Sequence, residues 1–190
     1  MAVTNQEETG LAGEPTRRDM IYVATGAVVA GGVAMLAWPL IDQMNPSADT
    51  RALASTEFDV SKVPEGSQTK IMWRGKPVFV RHRTPAEIAQ GTKDDTADLK
   101  DPQTNFQRTQ QSNAQPGKPE YLIMEANCTH LGCIPVGISE PGYLGEYGGW
   151  FCPCHGSHYD TAGRIRKGPA PKNLHIPPYI YTGETVVKIG

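Results

Sequence analysis

All four cysteines of this 190-residue chain lie in two short segments, and each segment also carries a histidine. The first segment reads Cys-Thr-His-Leu-Gly-Cys over residues 128–133, and the second reads Cys-Pro-Cys-His-Gly-Ser over residues 152–157. Thiolates and imidazoles are typical ligands of transition metals, and the glycine in each segment permits a tight turn. This clustering favours one composite metal site over four separately buried thiols.

The two segments resemble the two boxes of the Rieske iron–sulfur family, Cys-x-His-x-x-Cys and Cys-x-Cys-His, and match both without a gap. In that family the first cysteine and the histidine of each box hold a [2Fe–2S] cluster, with two thiolates on one iron and two imidazoles on the other. The resemblance therefore implies that Cys128 and Cys152 bind one iron. It implies equally that His130 and His155 bind the other.

Residues around the boxes extend this resemblance. The remaining cysteines, Cys133 and Cys154, correspond to the family's disulfide. Ser157 and Tyr159 stand at positions where the family has hydroxyl groups that bond the cluster's bridging sulfide and the sulfur of Cys128, respectively. Donors to sulfur stabilise the reduced state, so both hydroxyls are expected to raise the reduction potential.

The resemblance also assigns an apolar tip and a lid to the site. Leu131 and Gly132 are expected to form the tip that docks at a quinol pocket. The lid is the family's proline loop, which corresponds here to Gly168-Pro169-Ala170-Pro171. Rigid proline-rich backbone suits a cover of this kind. His158 and His175 match no family ligand, and we interpret both as non-ligands.

Mixed ligation has a chemical consequence. Two neutral imidazoles in place of two anionic thiolates make a cluster easier to reduce, with potentials of about −150 to +300 mV. Oxidation lowers the pKa of a ligated imidazole, so electron and proton affinities are coupled. Such a centre suits quinol oxidation, and the resemblance assigns to His155 the quinol hydrogen bond and the transferred proton.

Other metal sites account for the pattern less well. Zinc accepts two cysteines and two histidines in a tetrahedron. Common zinc fingers place two cysteines together and then two histidines, whereas each segment here mixes the two residue types. An all-cysteine site would require Cys152 and Cys154 to chelate one metal across a single residue, and it would leave both histidines unused.

A predicted membrane anchor precedes the two Cys/His segments by about eighty residues. Residues 20–41 carry no charge, and as a helix rising about 1.5 Å per residue they would span a bilayer core. Thr16-Arg17-Arg18-Asp19-Met20 resembles a twin-arginine export signal. We therefore predict a cytoplasmic tail at 1–19 and a single-pass anchor at 20–42 in the bacterial inner membrane. A cleaved signal peptide, with a weak cleavage pattern at Gly32-Val33-Ala34, is the alternative.

The rest of the chain divides into a linker and a head. Residues 43–55 are small and polar, which predicts a flexible hinge. Residues 56–190 predict a periplasmic head that is mostly β, an antiparallel sandwich or small barrel with a cluster-binding subdomain at about 125–174. Strands are expected near 69–73 and 78–82 around a turn at 75–77, and also near 121–124 and 185–189. Thr84 and Pro85 predict a helix start.

One segment of the head carries no such pattern. Residues 91–119 are rich in Asp, Gln, Asn, Thr and Lys and show no hydrophobic period. We interpret this segment as a solvated loop on the surface of the head, with a partner-binding segment as the alternative.

Together the anchor, the linker, the extra cysteine pair and the two hydroxyls resemble the Rieske subunits of quinol-oxidising cytochrome bc-type complexes. The resemblance implies cytochrome b, a membrane-bound cytochrome c, quinol and the lipid bilayer as partners, in a dimeric complex. A formal net charge of −2 gives no basic field for nucleic acid. The alternative is a membrane-tethered electron carrier, or a small subunit of another oxidoreductase, without a quinol site.

Overall fold

The structure, a computed structural model, describes residues 16–52, 54–137 and 145–190. The chain divides into an N-terminal unit that ends at Ala48 and a larger unit from Asp49 to Gly190.

The N-terminal unit is built on one helix, α1, which spans Arg17–Asp42. Thr16 caps it by accepting a hydrogen bond from the Asp19 amide, while the Asp19 carboxylate accepts one from the Thr16 amide at 2.8 Å. This reciprocal arrangement satisfies two amides that a helix start leaves unpaired. The helix continues through Pro39 for three more residues. By length and composition it is able to cross a membrane, which confirms the predicted helix.

The predicted linker contains a short helix, α2, over Ala48–Ala52. Its sequence has no hydrophobic period, so no helix was expected there. Two alanines favour the helix, and Asp49 in the first turn and Arg51 in the last complement its dipole.

The larger unit is mostly β, as predicted, and its strand pairs within the described residues are antiparallel. Three sheets have the strand orders β1-β10-β9, β2-β3-β4 and β5-β6-β7-β8. The strands are β1 Thr56–Asp59, β2 Gln68–Trp73, β3 Lys76–His82, β4 Tyr121–Glu125, β5 Val136–Gly137, β6 Gly148–Cys152, β7 Ser157–Asp160, β8 Ile165–Lys167, β9 Tyr179–Tyr181 and β10 Val186–Ile189.

The β2–β3 hairpin turns one residue earlier than predicted. Its turn consists of Arg74 and Gly75, with φ angles of 49° and 74°. Positive φ at both central residues is typical of the turn that matches the twist of a tight hairpin. Pro77 therefore lies in β3, where it pairs with Met72, and not in the turn.

The β2-β3-β4 sheet separates two apolar cores. Successive side chains of a strand point to opposite faces. Accordingly, Val78 and Val80 of β3 pack into one core, whereas Phe79 packs into the other. The first core, which we call the base core, is shared with β1, β9 and β10. The second, the site core, is shared with β6, β7 and β8 and contains Cys128 and Cys152.

Helix α3 spans Pro85–Lys93 and is capped by Thr84, as the sequence predicted. Glu87 completes a reciprocal pair with Thr84. Two short 3₁₀ helices follow, at Asp94–Thr96 and Gln107–Thr109, and a third lies earlier at Val60–Lys62.

The expectation of a solvated loop at 91–119 was wrong for its central part. Arg108 is 2% exposed, and its guanidinium donates to the carbonyl oxygens of Ala162 and Leu174. Asn105 is also buried and accepts a hydrogen bond from the Arg83 guanidinium at 2.6 Å. Polar side chains can be buried when each finds a partner, and these partners lie far away in the sequence.

Candidate metal centre

The first Cys/His segment forms a closed turn directly after β4. The Cys128 amide donates to the Cys133 carbonyl oxygen at 2.7 Å, and the Gly132 amide donates to the Cys128 carbonyl oxygen at 2.8 Å. Gly132 has a φ of +82°, a conformation that favours glycine. The turn buries the Cys128 side chain and leaves Leu131 72% exposed.

The second Cys/His segment is the turn between β6 and β7. Cys152 ends β6 and pairs with Ser157 at the start of β7. The Gly156 amide donates to the Cys152 carbonyl oxygen at 3.0 Å, which closes the turn. Cys152 is buried, and this burial raises the pKa of its thiol.

The two turns meet at their tips. A disulfide joins Cys133 to Cys154, as the resemblance implied, with 6.8 Å between the two Cα atoms. The rings of His130 and His155 approach edge to face, with 4.6 Å between their centroids. The fold thus brings together the four residues that sequence analysis named as ligands, two buried free thiols and two adjacent imidazoles.

The donor set fits an iron–sulfur cluster. The Nδ1 atom of His130 is buried and finds no hydrogen-bond partner in the described part of the chain. A buried polar atom without a partner costs about 1–3 kcal/mol, and a bond to iron would remove that cost. The sulfurs of Cys133, Cys152 and Cys154 also lie within 4.8 Å of one another. The disulfide leaves only Cys152 of these three able to ligate as a thiolate.

Two hydroxyls lie beside the buried thiols. The Tyr159 oxygen is 3.2 Å from the Cys128 sulfur, in a fully buried position. Burial, followed by the contact with Cys128, raises the pKa of Tyr159, so its hydroxyl remains protonated and able to donate. The Ser157 oxygen accepts a hydrogen bond from the Ala170 amide at 3.2 Å, which leaves the serine hydrogen free to donate elsewhere.

The proline loop, residues 168–171, packs against the second turn. Gly168 has a φ of +103°, and a Cβ atom there would lie 2.4 Å from the Gly156 carbonyl oxygen. Only glycine permits so close an approach. Ala170 is buried in the site core, whereas Pro169 and Pro171 are exposed. The loop therefore presents its alanine to the site and its two prolines to the surface.

The exposed end of the site is formed by His155, Leu131 and Gly132, while His130 is half-buried. The remaining histidines have other partners. His158 accepts from the Glu146 amide, and His175 pairs with the Glu125 carboxylate.

Sequence analysis missed residues that hold the proline loop in place. Thr129 donates to the Lys172 carbonyl oxygen at 2.6 Å, and Asn173 is buried with its side-chain oxygen bonded to the Ile165 amide. These residues contact partners up to 72 positions away, so no local pattern marks them.

Comparison with known proteins agrees with this geometry. Residues 57–179 match the family model described as the Rieske [2Fe-2S] domain. The chain belongs to the Rieske iron–sulfur family. It carries the [2Fe–2S] domain of that family, and residues 8–47 match a second model, described as the ubiquitinol-cytochrome C reductase Fe-S subunit TAT signal.

Rieske relatives resemble this chain over almost its whole length. It is 54% identical over 190 residues to the ubiquinol-cytochrome c reductase iron-sulfur subunit of Rhodospirillum rubrum, covering 100% of each chain. The subunit of the same name from Blastochloris viridis is 53% identical over 178 residues, or 93% of this chain and 94% of that one. These relatives identify the chain as a Rieske subunit of an oxidoreductase complex, consistent with electron transfer.

A solved structure described as hyperthermophilic respiratory Complex III contains a chain similar to this one. It superimposes with a TM-score of 0.50 at 27% sequence identity, covering 87% of this chain and 98% of that chain. The export-signal match and helix α1 together indicate a membrane-anchored subunit.

Proposed function

We propose that this Rieske chain transfers electrons from quinol, bound at cytochrome b, to a membrane-bound cytochrome c within a quinol–cytochrome c oxidoreductase. The observation that carries the proposal is the pair of adjacent imidazoles, one of them exposed beside an apolar tip. Cys128 and Cys152 would bind one iron of the cluster, and His130 and His155 the other. When bound, the [2Fe–2S] cluster supplies a one-electron redox centre of raised potential.

His155 is the residue that forms a hydrogen bond with quinol. Its ring is exposed, so the ring nitrogen that would not bind iron would, once deprotonated, accept a hydrogen bond from the quinol hydroxyl. The same nitrogen takes the quinol proton as the electron leaves the quinol. Leu131 and Gly132, both exposed, form the apolar surface that excludes water around that hydrogen bond.

The tether then permits delivery to a second partner. Residues 43–55 would act as the hinge about which the head moves between cytochrome b and cytochrome c, within a dimeric complex. The twin-arginine segment and α1 support an N-terminus in the cytoplasm and a head in the periplasm. The periplasm is oxidising, which suits the Cys133–Cys154 disulfide.

The exposed tip provides the test of this function. Leu131→Ala removes the side chain that docking would bury, worth about 1.5–3 kcal/mol. In the assembled complex we expect quinol–cytochrome c reductase activity to fall about tenfold or more, with the cluster's electron paramagnetic resonance spectrum unchanged in amplitude. Met72→Ala is a matched control, because Met72 is a 58% exposed apolar residue on β2, outside the tip.

Unchanged activity in Leu131→Ala would contradict docking at a quinol pocket. A tethered carrier without a quinol site also differs in its partners. Mild detergent extraction should co-purify this chain with haem-containing cytochromes if the proposal is correct, and without them if the chain works alone.

A further inference from the structure

Residues 100–103, part of the segment that was expected to be solvated, form hydrogen bonds to the proline loop and to the residue Asn173 that follows it. The Lys100 ammonium donates to the Gly168 carbonyl oxygen at 2.6 Å. The Asp101 carboxylate accepts from the Asn173 amide at 3.0 Å, and the Asp101 carbonyl oxygen accepts from the Asn173 side chain at 2.9 Å. The first residue of the loop, and Asn173 two residues after its end, are therefore bonded to adjacent residues of this segment.

Asn173 closes the base of the loop. It is 4% exposed, and its side-chain oxygen accepts from the Ile165 amide at 3.0 Å, across the loop. Its side-chain nitrogen also donates to Gln103 at 3.0 Å. A buried amide with its groups bonded has one orientation, so Asn173 fixes the chain on both sides of the loop, and the Asp101 carboxylate holds Asn173 through its backbone amide.

The front of the loop contacts the redox site. Gly168 lies against the backbone of the Gly156 turn, and the Ala170 amide donates to the Ser157 hydroxyl. A hydroxyl that accepts a hydrogen bond becomes a better donor through its own hydrogen, because hydrogen bonds in a chain polarise one another. The position of Ala170 therefore influences how strongly Ser157 donates.

We propose that Asp101 is a positioning residue of the electron-transfer site, assisted by Lys100. These residues hold the proline loop so that Ala170 remains bonded to Ser157, and in this way they contribute to the reduction potential. The inference rests on the proposed role of Ser157 as a donor to the cluster.

The test separates positioning from simple electrostatics. Asp101→Ala removes a negative charge, and by charge alone this would raise the potential of the cluster. Loosening the loop would weaken donation from Ser157 and lower the potential instead. Asp101→Asn removes the same charge but keeps a side-chain oxygen that can accept from the Asn173 amide.

In the full-length chain, purified in its complex, we expect the midpoint potential to fall in Asp101→Ala, by less than in Ser157→Ala. Asp101→Asn should leave it unchanged or slightly higher. The measurement is a redox titration followed by electron paramagnetic resonance. Equal shifts in Asp101→Ala and Asp101→Asn, with the cluster present in both, would overturn the inference.

A second variant decides the matter if Asp101→Ala fails to retain the cluster. Lys100→Ala changes an exposed side chain and should lower the potential in the wild-type background but not in Ser157→Ala, because both act on one hydrogen-bond chain. An equal shift in the two backgrounds would indicate only a charge effect and would overturn the inference. Lys93→Ala, on exposed Lys93 at the end of α3, is the control and should leave the potential unchanged.

The potential of Ser157→Ala distinguishes failure of the proposed role of Ser157 from failure of the inference about Asp101. If Ser157→Ala leaves the potential unchanged, Ser157 does not tune the cluster and the inference fails with that role. If Ser157→Ala lowers the potential and Asp101→Ala does not, only the inference about Asp101 fails.

Discussion

The two faces of the β2-β3-β4 sheet are stabilised in different ways. The base core is built from apolar side chains, with the hydroxyl of Tyr179 as a polar group at its edge. The site core instead adjoins a buried ionic network, in which Arg164 and Asp160 are both fully buried and bonded at 2.7 Å. Apolar packing has no preferred direction, whereas hydrogen bonds fix the angles between groups.

This difference matches what each face has to do. The base core is stabilised by burial of apolar surface, which contributes about 25 cal/mol per Å² to the free energy of folding. Any well-packed set of apolar side chains provides this stabilisation. The site face has to hold two turns and a loop in fixed relative positions. Arg108 and Arg164 do this by bonding backbone carbonyl groups of segments that are distant in sequence. We therefore expect the site face to be more sensitive to single substitutions than the base.

The largest effect is expected at the ionic network. Arg164→Met removes the guanidinium that bonds the buried Asp160 carboxylate at 2.7 Å and leaves it two backbone amides and the more distant Arg166. Breaking a buried pair costs about 3–5 kcal/mol. Unfolding by urea, followed through the visible absorbance of the cluster, should show a loss of that size. A loss below about 1 kcal/mol would mean that the network does not stabilise the site face.

A pair of buried tyrosines sharpens the comparison. Tyr179→Phe leaves the Thr109 carbonyl oxygen without the hydroxyl that bonds it at 2.6 Å, at a cost of about 1–3 kcal/mol in unfolding free energy. We expect no change in the reduction potential, because Tyr179 packs into the base core.

Tyr159→Phe, in contrast, should change the reduction potential. Its hydroxyl contacts the Cys128 sulfur, so losing a donor worth about 1 kcal/mol should lower the potential by about 40 mV for one electron. Redox titration of both variants checks the contrast. A similar shift of the reduction potential in both variants would contradict the claim that the two faces of the sheet differ in their effect on the site.

The smallest effect is expected within the base core. Ile123 is fully buried there, and Ile123→Val removes one methylene group at a cost of about 0.5–1.5 kcal/mol. Urea unfolding should detect this loss, and the potential should be unchanged. A shifted potential would indicate that the base core also positions the site.

The sequence predicted the parts of the fold that local patterns encode. The strands expected near 69–73 and 78–82 are present as β2 and β3, and Thr84 with Pro85 marked the start of α3. The resemblance named four ligand residues, and the structure places two of them, His130 and His155, with their rings in contact and buries the other two, Cys128 and Cys152, as free thiols. The disulfide was anticipated in the same way and is present.

Other features depend on partners that local patterns do not reveal. Arg108 and Asn105 are polar, and a polar run without a period normally indicates solvent exposure. Their partners lie on other segments, such as Ala162 for Arg108 and Arg83 for Asn105. The hairpin turn was misplaced because Pro77 was taken as a turn residue, although proline is tolerated near the start of a strand.

The pH dependence of the cluster's midpoint potential, measured on the full-length chain, tests the account most directly. With His130 and His155 as ligands, the oxidised centre should lose imidazole protons at alkaline pH. The potential should therefore be high near neutrality and then fall, by up to about 59 mV per pH unit for one coupled proton. A low potential that stays flat across this range would contradict histidine ligation and the proposed oxidation of quinol.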